Sequence, residues 1–240
     1  HQLHRRQRQM CIRDRFTWFW PERGINHDRL DGEHGVELTA PSSWTPATQL
    51  NLLSEEDADK TAKRWTFSTV GRDMMLDSIV EVNPNPAITY DIDGRTHHLK
   101  WWDSGGHEPN AERLQAFVED TKRIAKEHHA LFGVPDWPEY TTVLQLTDTG
   151  RGGLEHMNSQ TSMMPRSCLF PEHPDEYRDL VSLFSHEYLH QWNVKRLRPK
   201  NFLDYDLQSE VHTDLLWWFE GATSWFCLLY TSDAADDGVG

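Results

Sequence analysis

Residues 185–199 read Ser-His-Glu-Tyr-Leu-His-Gln-Trp-Asn-Val-Lys-Arg-Leu-Arg-Pro. Just upstream, Tyr177, Leu180, Val181 and Phe184 recur at three- and four-residue spacing, the period of one apolar helix face. The pattern predicts a helix from about Pro174 to Arg198, ended by Pro199, whose ring and missing N–H stop a helix. Within it His186 and His190 stand at i and i+4, one above the other on a single face. That is the spacing a zinc site uses: neutral imidazoles bind at about 2.0–2.1 Å, and a catalytic ion keeps three protein ligands and one open position. Glu187 follows the first histidine and projects beside that open position, where a carboxylate can take a proton from water as it attacks a carbonyl and hand it to the leaving nitrogen. The bland alternative is two histidines on a polar face with a solvated Glu between them.

The third ligand is expected from the next helical pattern, which begins near Ser209 and carries Val211, Leu215, Leu216, Trp218 and Phe219 towards Phe226. Glu220 lies there among Trp217, Trp218 and Phe219, surroundings in which an unpaired carboxylate is costly. Glu210 competes, but it sits in a polar stretch at a helix start, where solvation or the helix dipole accounts for it. Glu220 is the preferred ligand.

Upstream, Leu114, Phe117, Val118, Ile124 and Ala125 mark a helix between Pro109 and Gly133, and Tyr140 to Thr147 is a run of strand formers closing in the glycine-rich turn Gly150 to Gly153. Before Gly106 the chain reads as strands (VELTA, RWTFSTV, AITYDI) separated by turn clusters such as Asn83-Pro84-Asn85-Pro86. The expected organisation is α+β, with a β-rich first domain over 16–106 and a catalytic domain over 107–226. Residues 1–15, with five Arg and no apolar period, and 227–240, a small acidic tail, are expected to be non-native extensions.

Composition narrows the function. The formal charge of −14 repels phosphate backbones and anionic lipid, excluding nucleic acid and membrane as expected partners. No apolar run approaches the roughly 20 residues of a bilayer span. Of 3 cysteines, Cys11 and Cys227 fall in the suspect ends, which leaves Cys168 without a disulfide or metal framework. The expected location is cytoplasmic or periplasmic.

Three blocks, GGLEHMNS (152–159), SHEYLHQWNVKRLRP (185–199) and LLWWFEGATSW (215–225), resemble in order and spacing the glycyl aminopeptidase family, zinc metallopeptidases with a PDZ domain. A weaker echo is RDMMLDS (72–78). The resemblance implies a gluzincin with a thermolysin-like catalytic domain, of which this chain would hold the first part, the PDZ domain and the oxyanion-stabilising residue lying further on. It implies one Zn²⁺ per chain on His186, His190 and Glu220, with Glu187 as general base. It also implies a peptide substrate whose free amine is held by Glu155, hence an aminopeptidase for small N-terminal residues, glycine above all. Gly152 and Gly153 would let the peptide lie close to a strand edge, and Asn158 would help position it or cap the turn. The family usually has an aromatic at the place of Ala222 and Tyr at that of Trp225. The alternatives are a zinc endopeptidase, indifferent to Glu155, and a peptide- or glycan-binding module without metal.

Other signals are expected to be structural. The pairs His97-His98 and His128-His129 are read as surface histidines, because neighbours on a strand or helix point apart. Trp101 and Trp102 are read as core or interface packing, Met163 and Met164 as core filler. Lys195, Arg196 and Arg198 are read as a basic run favoured by the helix C-terminus.

Overall fold

The computed structural model describes residues 32–203 and 210–227; the proposed extension 1–15, Trp18 and Trp20, Ser209, and all of the proposed tail but Cys227 lie outside them. The fold is α+β, as expected. Strands β1 (Glu33–Pro41), β3 (Asn51–Asp57) and β4 (Ala62–Val70) form an antiparallel sheet in the order β1-β4-β3, and β2 (Thr45–Thr48) pairs with β5 (Val80–Asn83). Between β4 and β5 lies the short helix α1 (Arg72–Asp77). Trp65, Phe67 and Met75 centre this first core.

The second unit is a five-stranded sheet of β6 (Ile88–Ile92), β7 (Arg95–Asp103), β8 (Glu139–Thr147), β10 (Ser159–Pro165) and β9 (Gly152–Glu155), in that order. The three central strands run parallel, and the outer two, β6 and β9, are antiparallel to their neighbours. Residues 88–103 thus belong to this sheet although they precede the expected boundary at Gly106. Sheet membership changes instead at the Asn83–Pro86 turn, because β7 buries Leu99 and Trp101 against the larger core.

Helix α2 (Ala111–Phe132) is capped by Asn110, whose side chain accepts the Arg113 N–H at 2.9 Å, and it stops at Gly133 with φ 86°, a conformation glycine adopts without a Cβ penalty. Helix α3 (Pro174–Leu189) packs beside α2 and covers the sheet with Leu180, Val181 and Phe184. Trp101 is buried in the same core, Trp102 lies 6.4 Å from Trp44 at the seam between the two units, and Met164 fills the core as expected. Across that seam the buried ammonium of Lys100 donates to Thr45 Oγ1 at 2.7 Å and to the Asn83 and Asn85 carbonyls. Cys168 and Cys227 are buried thiols, each pushed up to about 12 by burial and therefore inert. Among the described residues no helix is long and apolar enough to cross a membrane.

The histidine pairs correct the sequence reading. His97, His128 and His129 are buried around the fully buried Tyr188, the first and last at its hydroxyl and His128 stacked on its ring at 5.9 Å. His97 Nε2 lies 3.0 Å and His129 Nε2 2.9 Å from that hydroxyl; His97 Nδ1 faces the Arg95 carbonyl at 3.0 Å and His129 Nδ1 the Asp93 carboxylate at 2.7 Å. Imidazoles whose nitrogens find partners can be buried at little cost, and these pack under the helix that carries the motif.

Candidate metal centre

Helix α3 ends at Leu189, with His190 as its C-cap, not at Arg198. Beyond it the N–H groups of Lys195 and Leu197 reach carbonyls five residues back, on His190 (3.0 Å) and Trp192 (2.9 Å), and Val194 takes φ 140°. A β-branched residue there is strained, and such strain persists only where surroundings over-determine it. The surroundings are tertiary: the Asn193 side chain donates to Thr223 Oγ1 at 2.9 Å and to the Trp218 carbonyl at 3.3 Å. With the helix ended, the basic run is not a helix-dipole feature. Lys195 pairs with Asp77 at 2.7 Å, Arg196 with Asp136 at 2.7 Å, and Arg198 Nε donates to the Lys195 carbonyl.

The second helical segment covers residues 216–227, later than expected from Ser209. Of its expected apolar face only Phe219 is buried; Leu215, Leu216 and Trp218 are exposed. Its first part, Trp217–Ala222, is π-helical, the wider turn that often marks functional positions, and it delivers Glu220. Glu210 is not brought to the histidines; it stands on the surface, 3.8 Å from His212.

His186, His190 and Glu220 converge, their ligating atoms lying within 4.8 Å of one another. His190 Nε2 is 3.0 Å from His186 Nε2, and Glu220 Oε2 is 3.2 Å from His186 and 3.9 Å from His190. A carbonyl only accepts, so His190 Nδ1 donates its proton to Asn193 O at 2.9 Å and turns its Nε2 lone pair towards the other two donors. His186 Nδ1 faces Ser224 Oγ at 3.3 Å. Four donors placed tetrahedrally at about 2.0–2.1 Å from one ion stand about 3.3 Å apart, which the three separations bracket. Two imidazole nitrogens and a carboxylate oxygen aimed at one point fit a divalent cation. Burial holds His190 below the usual imidazole range; for Glu220 burial pushes upward, and the His186 hydrogen bond and both imidazoles bring the net shift downward. Both shifts leave the ligands in their metal-binding protonation states near neutral pH.

Glu187 is buried beside them and belongs to a second convergent group with Glu155 and His190, also within 4.8 Å. Burial first, then the charges of Glu155 and Glu220, hold its carboxyl well above the ordinary range. Gly153 makes the room: a Cβ there would stand 2.1 Å from Glu187 Oε1. Its bareness thus serves the protein's own carboxylate, where the sequence reading assigned it to the substrate. Gly152, Gly153 and Glu155 lie on β9, which among the described residues is the last strand of the sheet on that side. Glu155 lines a cavity of about 320 Å³ with Asp77, Met157, Val194, Lys195 and Phe202. Asn158 is not brought to this cavity; it lines a separate crevice with Trp44 and Trp65.

Comparison with known proteins agrees with this geometry. Residues 179–235, which contain all the converging ligands, match the model of the M61 glycyl aminopeptidases. The match supports a peptidase of the M61 family. It is also similar to the crystal structure of an aminopeptidase N family protein from Idiomarina loihiensis, with TM-score 0.71 and 30% identity over 84% of this chain and 34% of that one. The chain therefore spans 34% of the length of that relative. No curated protein sequence matches it. The residues that sequence reasoning missed are Asp77, Asn193 and the Tyr188 cluster. Asp77 and Lys195 are 118 positions apart, so no local pattern joins them; the only signal was the RDMMLDS echo.

Proposed function

We propose that the protein is a zinc-dependent aminopeptidase that removes small N-terminal residues, glycine foremost, from peptides. The observation that carries this reading is the convergence of three neutral-to-anionic donors beside a buried carboxylate, one residue along the same helix. His186, His190 and Glu220 would hold a divalent ion, which would supply Lewis acidity towards water and a peptide carbonyl near neutral pH. The chain's residues do the rest. Glu187, desolvated and therefore basic for a carboxylate, accepts the water proton and returns it to the departing amine. His190 is kept in one tautomer by Asn193 O. The outer edge of β9 offers backbone groups to an extended peptide, and Glu155 at its end faces the peptide's α-ammonium, which restricts cleavage to the first bond. The glycine preference comes from the family resemblance.

The test begins with metal content in protein purified without added metal. About one zinc per chain, lost in His190→Ala and Glu220→Ala with the fold retained, supports the reading; no zinc in a folded parent refutes it. Free-amine and N-acetylated glycyl peptides then separate the activities in the full-length protein. Cleavage of both, unaffected by Glu155→Gln, makes it an endopeptidase, and zinc without cleavage of either leaves a binding module.

A further inference from the structure

Under the last turn of α3 the protons of a buried hydrogen-bonded chain can be counted. His129 Nδ1 faces the Asp93 carboxylate at 2.7 Å, and His97 Nδ1 faces the Arg95 carbonyl at 3.0 Å. Carboxylate and carbonyl oxygens only accept, so both Nδ1 atoms carry protons; in a neutral imidazole the other nitrogen is then a bare acceptor. Both of those other nitrogens point at one hydroxyl, that of Tyr188, at 2.9 Å from His129 and 3.0 Å from His97. A hydroxyl has one proton to give. Two neutral rings would therefore leave one nitrogen lone pair against an oxygen lone pair, inside the core, where an unmade hydrogen bond is costly.

One more proton completes the chain, and His129 is where it sits. A carboxylate beside an imidazole favours its charged form, and of the two rings only His129 has one as a hydrogen-bond partner. Burial holds His97 down at about 4 and pushes the Tyr188 hydroxyl far up, so the one stays neutral and the other keeps its proton. Each donor then meets an acceptor: His129 gives Nδ1–H to Asp93 and Nε2–H to the Tyr188 oxygen, Tyr188 gives its proton to His97 Nε2, and His97 gives Nδ1–H to the Arg95 carbonyl. The other ionisable neighbours leave this count unchanged. Burial holds His128, stacked on the Tyr188 ring, at about 3, and raises Tyr90 on β6 and Tyr140 on β8, which pack against His97. The charges of His98 and Asp91 act on His97 in opposite directions. Asp93 itself is delivered by the turn between β6 and β7, where it takes φ 51°, a left-handed conformation in which Asp is one of the enriched residues.

We propose that Asp93 and His129 form a carboxylate–imidazolium pair that, through Tyr188, positions the turn of α3 carrying His186, Glu187 and His190. Both are positioning residues, since they act on that turn only through Tyr188. The proposal rests on the metal reading for what the turn carries, and not for the charge.

Nitrogen NMR spectra of the histidine rings in the metal-free protein at pH 7 test the charge, with His129→Gln assigning the signals. Both nitrogens of His129 are expected to carry protons and His97 only one; a bare nitrogen on His129 overturns the proposal. Asp93→Asn keeps the shape and removes the charge, so His129 is expected to lose one proton and amide exchange over residues 186–190 to speed up about tenfold. Zinc affinity in competition with a chelator is expected to fall about tenfold, the low end of what losing support behind a ligand costs. A merely structural role would lower the melting temperature and leave both protons on His129. Both protons retained, unchanged exchange or unchanged zinc affinity in folded Asp93→Asn each overturns the proposal. Tyr188→Phe keeps a readout if Asp93→Asn does not fold: without the oxygen that accepts from it, His129 Nε2 is expected to lose its proton, and its retention overturns the proposal. If the parent binds no zinc, the proposed function fails by itself, while the ring spectra and the exchange rates still decide the role of the pair.

Discussion

Replacing Gly153 by alanine puts the smallest side chain where the structure leaves no volume. The added Cβ would stand 2.1, 2.4 and 2.5 Å from Oε1, Cδ and Cγ of Glu187, where real Cβ atoms essentially never come closer than 3.0 Å. The carboxylate has to recede by about 1 Å, and it is buried at 5% exposure, so it moves into neighbours and not into solvent. A misplacement of about 1 Å in a reacting group costs on the order of 100-fold in rate, and overpacking adds a stability loss of about 1–3 kcal/mol. The three nearest atoms that the new methyl meets all belong to Glu187. Gly153→Ala is therefore expected to lower kcat by about 100-fold, with zinc still bound at the parent stoichiometry and a modestly reduced melting temperature. The assay pairs kcat on a glycyl peptide with metal analysis of the same preparation. A kcat within about threefold of the parent, in a folded zinc-bound variant, would refute the placement of Glu187 against β9.

Three further outcomes follow from other parts of the molecule. Burial lowers His97 to about 4 and His128 to about 3, so both fold as neutral rings. Their contribution is complete above the unfolded value near 6.5 and falls by about 1.4 kcal/mol per pH unit for each ring as pH drops towards the folded values. Urea unfolding of the metal-free protein at pH 7 and pH 5 should show a loss of about 3–4 kcal/mol; equal stabilities would mean that these rings are solvent-exposed. Asn193→Ala removes the side-chain ties to Thr223 and Trp218 and should weaken zinc binding by about 10–100-fold, the usual effect of losing support behind a ligand; competition with a chelator measures it, and unchanged affinity counts against the role of that loop. Burial works against ionisation of Asp103, but Arg166, the Gly105 N–H and His107 outweigh it and bring its carboxyl down to about 2. Asp103→Asn should therefore destabilise the protein at pH 7 and lose that effect as pH falls from about 4 to 2, a difference that paired unfolding curves would reveal.

The sequence disclosed what repeats locally. The i, i+4 histidines, the apolar face of α3 and the Asn110-to-Gly133 helix all follow from a period of 3.6 and from capping chemistry. Glu220 was preferred as a carboxylate among tryptophans, and the structure brings it to both histidines, but with Trp217 and Trp218 exposed it is the π-helical turn and not apolar burial that sets its place. What stayed hidden depends on contacts distant in sequence. No Gly or Pro before Pro199 announces that α3 stops at Leu189; the Asn193 bonds to residues 25 and 30 positions away override local propensity. The rule that adjacent histidines point apart was sound, but the conclusion that they lie at the surface failed because Tyr188 and Asp93 supply polar partners inside. Gly153 signalled a close approach without saying of what.

Two of the candidate ligands sit at the end of one helix, whereas the third rides on a separate π-helical turn about 30 residues later in the chain. An ion joining them closes that loop as a cross-link would, and closing a loop of this size removes about 3–4 kcal/mol of unfolded-state entropy on a chain-entropy model. The metal would then act as a removable staple on the stretch between His190 and Glu220. Chelation should open that stretch to proteases before the sheet beneath it unfolds, and the position of the first cut would report metal occupancy without any assay of activity.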